Sequence, residues 1–180
     1  MFQSTILIPP KIYQSIHKHL FPKKIKSEQV AFIFTTVNKL NNSILFEFKD
    51  WYLVKPEEYE YQSLGYVELQ DEMRPKIIKM AFDLDAAIVE IHSHPYLRQA
   101  RFSPSDIKGL NEFVPHVWWR LKGKPYAAIV FSKVDFDALV WIDSPKKAQQ
   151  LTKIEVEGNH LYPNGLTLSN RHKKYGYKSF

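Results

Sequence analysis

The sequence predicts a mixed α/β domain in which helices flank a curved β-sheet, and three observations carry that expectation. Short apolar, β-branched runs such as AAIVEI (Ala86 to Ile91) alternate with stretches whose apolar residues recur at helical spacing. The elements fall in the order β-α-β-β-α-β-α-β-β, which lets helices bury the faces of a sheet. A chain of 180 residues, 44% hydrophobic and 14% aromatic, is long enough for one core and too short for two. One domain over residues 1–157 is expected, followed by a basic tail over 158–180.

Taken in order, STILIP (Ser4 to Pro9) reads as a first strand, and Pro9-Pro10 opens a helix with Ile12, Ile16 and Leu20 on one face. VAFIFTTV from Val30 and SILFEFKDWYLV from Ser43 read as antiparallel neighbours across an Asn41-Asn42 turn. The following PEEYEYQSLGYVEL lacks clear periodicity and is expected as an irregular insertion or flap near a site. A helix follows from Asp71 to Leu84, with Ile77, Ile78, Ala81 and Phe82 inward, and then the AAIVEI strand. The next helix opens at Pro104 and runs to about Val114, where Pro115 interrupts it. Tyr126 to Ser132 and Phe136 to Ile142 form a hairpin, and Leu151 to Glu157 adds a strand. From Gly158 the Gly, Asn, Pro and Lys content suggests a loose tail or a segment that orders on a partner.

Composition excludes several classes of function. There is no cysteine, so neither a disulfide framework nor a thiol nucleophile exists, and any metal must be held by nitrogen and oxygen. No apolar run reaches the roughly twenty residues that cross a bilayer, and the start resembles no signal peptide, so a soluble cytoplasmic protein without a membrane partner is expected. The net charge of +6 raises nucleic acid as a partner, and basic residues cluster at Lys23-Lys24-Ile25-Lys26 and Arg171-His172-Lys173-Lys174. No recognition motif accompanies them, so solvated lysine runs are the better reading.

The chemistry concentrates in VEIHSHPYLRQARFSPSD, from Val89 to Asp106. On a strand His92 and His94 point to one face, about 6.5–7 Å apart along the chain. Pro95 ends the strand's pairing, and the loop to Ser103-Pro104-Ser105-Asp106 can return Asp106 as a third ligand. Two imidazoles and a carboxylate leave a tetrahedral Zn²⁺ one open position, the pattern of a catalytic site. The same Ser103-x-x-Asp106 is also a capping box for the helix that follows, and the two roles are compatible. His17 and His19 spell His-x-His as well, but on a helix they lie about 200° apart and cannot share a metal.

HSHP followed by a short loop and SPSD resembles the metal-binding signature of the JAMM/MPN+ metalloprotease family, in its prokaryotic JAB-type branch. In that family two histidines and an aspartate hold zinc, a serine helps stabilise the oxyanion, and an upstream glutamate is the general base. The resemblance makes His92, His94 and Asp106 the zinc ligands and Ser103 the serine. Eight residues separate His94 from Ser103, one more than the family's spacing, which leaves open whether Ser103 or Ser105 faces the substrate. Only Ser103 fits Ser-x-x-Asp. Glu28-x-x-Ala31, ahead of the apolar FIF, resembles the family's Glu-x-x-Gly and marks Glu28 as the base. Glu90 competes, since it shares the face of His92, with orientation of a histidine ring as its other role. Glu28 is preferred because a base must reach the activated water from outside the ligand strand.

The resemblance implies a JAB/MPN-like, cytidine-deaminase-like fold. It also implies cleavage of isopeptide or peptide bonds after the C-terminal tail of ubiquitin or a ubiquitin-like protein, beside ubiquitin-activating and ubiquitin-conjugating homologues. A non-catalytic MPN-type binding module for such a system is the alternative, although those relatives lose ligand residues that this chain keeps. Amidohydrolase and phosphoesterase barrels also begin with His-x-His on a strand, but they need a longer chain and further ligands on later strands.

Overall fold

A computed structural model describes residues 2–24 and 26–169. The described residues run through β1 (Gln3–Leu7), α1 (Pro10–Leu20), β2 (Val30–Leu40), β3 (Ser43–Leu53), β4 (Tyr59–Gln62), β5 (Val67–Leu69), α2 (Met73–Asp83), β6 (Ala87–Ser93), α3 (Pro104–Arg120), β7 (Tyr126–Phe131), β8 (Phe136–Trp141), β9 (Gln149–Gln150), β10 (Lys153–Val156) and β11 (Asn159–Leu161), with a further helical turn at 166–169. Nine strands form one mixed sheet in the order β11-β10-β1-β3-β2-β6-β7-β8-β9, while β4 and β5 pair apart from it.

The alternation of strand side chains divides the interior in two. Val30, Phe32 and Phe34 of β2 face a core shared with α2 and α3, including Ile77, Leu110, Val114 and Trp141. Ala31 and Ile33 face the opposite core, with Ile16 and Leu20 of α1. Both faces of the first half of β2 and of β6 are therefore covered, which is why VAFIF and AIV read as apolar runs. Antiparallel β2 and β6 pair Val30 with His92, and parallel β6 and β7 pair His92 with Val130, so the ligand strand lies in the sheet interior.

The two rings of the helical His17-x-His19 pair part company as their spacing requires. His19 Nε2 lies 2.9 Å from the Val30 carbonyl, while His17 packs against Phe21 and Phe131.

Four sequence expectations are revised. Phe82 is 57% exposed rather than inward. It lies about 140° round α2 from Ile77, outside the arc that Met73, Ile77, Ile78 and Ala81 bury. Pro115 does not interrupt α3, which continues to Arg120. Phe113, Val114 and Val117 pin both halves to the core, and the backbone carbonyl that a proline ring crowds belongs to exposed Asn111. The segment expected as an irregular flap contains a 3₁₀ turn, Pro56–Glu58, and the antiparallel β4–β5 hairpin. From Gly158 through Ser169 the chain is not a loose tail. Glu157 (φ 49°) and Gly158 (φ 79°) turn β10 into β11, and Thr167 is buried. Arg171, His172, Lys173 and Lys174 lie outside the described residues.

Pro115→Ala restores an amide donor and removes the ring's crowding within α3. It is expected to stabilise the fold by about 1–3 kcal/mol in urea unfolding; a loss of stability would show that the proline ring is needed for packing.

Candidate metal centre

The last residues of β6 carry the two histidines to the edge of a cleft. The His94 N–H still donates to the Phe131 carbonyl at 2.7 Å, prolonging the ladder by one residue before Pro95. Beyond the paired part of β2, Ser93 N–H donates to the Gln29 carbonyl and Gln29 N–H donates to Ser93 Oγ, each at 3.0 Å. Continuing the Val30–His92 register two residues outward sets Glu28 across from His94. Their side chains meet there, with Glu28 Oε1 3.5 Å from His94 Nε2.

Asp106 comes from the opposite wall, the first turn of α3. Its N–H donates to Ser103 Oγ at 3.1 Å, and its Oδ2 accepts the Ser103 N–H at 2.6 Å, completing the capping box. The same Oδ2 lies 3.6 Å from His92 Nε2 and 3.4 Å from His94 Nε2. The capping carboxylate and the candidate ligand are thus one group, held in place by its own helix terminus.

Those two separations are too long for hydrogen bonds and too short for indifference. Ligands at about 2.0–2.1 Å from a tetrahedral ion stand roughly 3.3–3.4 Å apart, the edge length of that tetrahedron. One ligand atom from each of His92, His94 and Asp106 falls within 4.8 Å of the others. His92 Nε2 is buried and has no hydrogen-bond partner, an arrangement that costs about 1–3 kcal/mol unless something bonds to it. The donor set fits a divalent cation that accepts nitrogen and oxygen.

The electrostatics agree with that geometry. Burial raises the Asp106 carboxyl, but the two histidines beside it outweigh burial and hold it well below the usual carboxylate range. Burial lowers His92, yet Asp106, then Glu90 and Glu28, turn the net shift upward. Glu28 is 3% exposed; burial pushes it up to about 7, with His92 opposing and Asp106 adding to the rise. Glu28 flanks the triad without joining its close cluster.

All five residues singled out from the sequence, Glu28, His92, His94, Ser103 and Asp106, gather at this end of the sheet. The two serines divide differently. Ser103 caps α3, whereas Ser105 lines the adjoining cavity, and their hydroxyls lie 2.8 Å apart. Glu90 is not part of the cluster; its Oε2 accepts the Tyr126 O–H at 2.5 Å.

The flap supplies contacts that no local pattern announces. Ser63 O accepts the Glu28 N–H at 3.0 Å, Gln62 Nε2 donates to the Glu28 carbonyl at 2.7 Å, and the Val30 N–H donates to Tyr59 Oη at 3.0 Å. Between this flap, α2 and α3 lies a cavity of about 250 Å³ that reaches His92 and Asp106. Its walls include Val67 and Leu69 from the flap, Arg74 from α2 and Gly109 from α3.

Ser103→Ala removes the cap acceptor while leaving Asp106 in the chain. It is expected to lower stability by about 1 kcal/mol in chemical unfolding, and an unchanged midpoint would mean that the cap carries no weight. The chain matches no known family model, and no curated protein matches it at significant similarity.

Proposed function

We propose that this chain is a JAMM-type zinc peptidase that cleaves the amide bond after the C-terminal tail of ubiquitin or a ubiquitin-like modifier, in deconjugation or precursor maturation. Homologues of ubiquitin-activating and ubiquitin-conjugating enzymes are its proposed working partners. One observation carries the chemistry: His92, His94 and Asp106 converge at metal-ligand spacing with a buried carboxylate, Glu28, at their flank. The modifier as substrate rests on the sequence resemblance alone.

Bound by the triad, zinc supplies Lewis acidity that draws the pKa of water toward neutrality and polarises the carbonyl under attack. Glu28 takes the proton of the attacking water and returns it to the leaving amine. Burial beside the triad's side chains gives Glu28 the position such an exchange needs, within reach of His94. Ser103 can donate to the developing oxyanion. When the Ser105 hydroxyl donates to Ser103 Oγ, that oxygen accepts from Ser105 and from the Asp106 N–H, which leaves its own proton free. The cavity beside the triad has room for a substrate segment. A Cβ added to Gly109 would meet nothing within 4 Å, and the residue faces this space from inside a helix, where glycine is a poor choice for stability.

The test is mass spectrometry of linear modifier fusions incubated with the protein. Cleavage after the tail is expected, abolished by a chelator and restored by zinc. Glu28→Gln should keep its zinc while the rate falls about 10²–10⁴-fold. Purified protein free of zinc that still hydrolyses, or a fully active Glu28→Gln, sinks the mechanism.

Gly109→Leu should raise KM about tenfold or more with kcat little changed, since it fills binding space without touching the triad. An unaltered KM would place the substrate elsewhere.

A further inference from the structure

Just before Ser103 the chain passes through Ala100-Arg101-Phe102, and its backbone there is held by residues distant in sequence. The Ala100 N–H donates to Asp135 Oδ1 at 2.7 Å, and Asn164 Nδ2 donates both to the Ala100 carbonyl and to Asp135 Oδ2, each at 2.8 Å. Two residues on, the Phe102 N–H donates to Thr167 Oγ1 at 3.0 Å. Ala100 is wholly buried and Phe102 nearly so, so these groups have no water to fall back on.

The holders are themselves anchored. Asp135 sits in the turn between β7 and β8, where the Ser132 O–H donates to its Oδ1 at 2.5 Å. The Asn164 N–H donates to the Phe136 carbonyl at 2.9 Å, and the Thr167 N–H donates to Oδ2 of fully buried Asp137 at 2.8 Å. One end of the strap is therefore tied to a strand of the main sheet, and the other to the loop that delivers Ser103 and Asp106. Phe102 adds a second route, because its ring meets the His92 ring edge to face at 5.7 Å between centroids.

We infer that residues 164–167, with Asp135, form a strap that positions the metal ligands. Asn164 and Thr167 act as positioning residues for Asp106 through the backbone and for His92 through Phe102. The inference rests on the metal-binding reading of the triad. Thr167 is the sharpest probe, since removing its hydroxyl leaves the buried Phe102 N–H without its acceptor. Residues that orient metal ligands from behind are each worth roughly 10–100-fold in metal affinity.

The experiment compares the 180-residue chain with its Thr167→Val, Thr167→Ser and Asn164→Ala variants. Co²⁺ is titrated into metal-free protein and followed by its visible absorption. Separately, metal-free protein is digested with trypsin, whose sites after Arg98 and Arg101 lie in the held loop, and the melting temperature of each variant is recorded. Thr167→Val and Asn164→Ala are expected to bind Co²⁺ about tenfold more weakly, with an altered spectrum, and to be cut several-fold faster in the loop. Thr167→Ser should restore both readouts. If Thr167→Val does not melt cooperatively, Asn164→Ala and Thr167→Ser carry the comparison. Wild-type protein that takes up no Co²⁺ defeats the metal reading itself, and loop cleavage then decides the strap independently. Where wild type does bind Co²⁺, unchanged affinity and spectrum in Asn164→Ala and Thr167→Val overturn the positioning role. Cleavage no faster than wild type overturns the strap.

Discussion

Three polar side chains, withdrawn from water, face one another at separations longer than a hydrogen bond, and the surrounding elements hold them there. Asp106 Oδ2 stands 3.6 Å from His92 Nε2 and 3.4 Å from His94 Nε2 in a largely buried space. Such an arrangement is stable only if a positive charge is shared among the three groups, whether carried by a proton or by a cation. The two separations equal the ligand-to-ligand spacing of a tetrahedral site, so the group could hold a cation. Each candidate ligand is presented by an ordered element: a strand flanked by neighbours on both sides for His92, one further ladder bond for His94, and a capped helix terminus for Asp106.

Asp106 links stability to chemistry. Its Oδ2 accepts the Ser103 N–H as part of the capping box and is also the atom that faces the histidines. Carboxylates at a helix start are favoured by the helix dipole, so the site draws on a stabilisation the fold already contains.

Glu28 is governed by a different set of forces. Backbone contacts from the β4–β5 flap hold its N–H and carbonyl, while burial brings its carboxyl to about 7. Glu28 thus sits outside β6, on a segment tied to the flap that also walls the cavity.

How much of this was legible in the chain depends on the range of the interaction. Strand parity put His92 and His94 on one face, helical spacing set His17 and His19 apart, and Ser103-x-x-Asp106 announced the cap and a carboxylate that could join the histidines; each of these is a matter of a few neighbouring residues. Tertiary structure alone decided that Glu28 stands across from His94, because that follows from the register of β2 against β6. It also decided that Gln62 serves Glu28, that α3 runs through Pro115, that Phe82 faces outward, and that residues 158–169 belong to the fold. Periodicity and capping are encoded by residues a turn or a pleat apart. Contacts across tens of residues depend on which surfaces the collapsed chain brings together, and no local spacing records them.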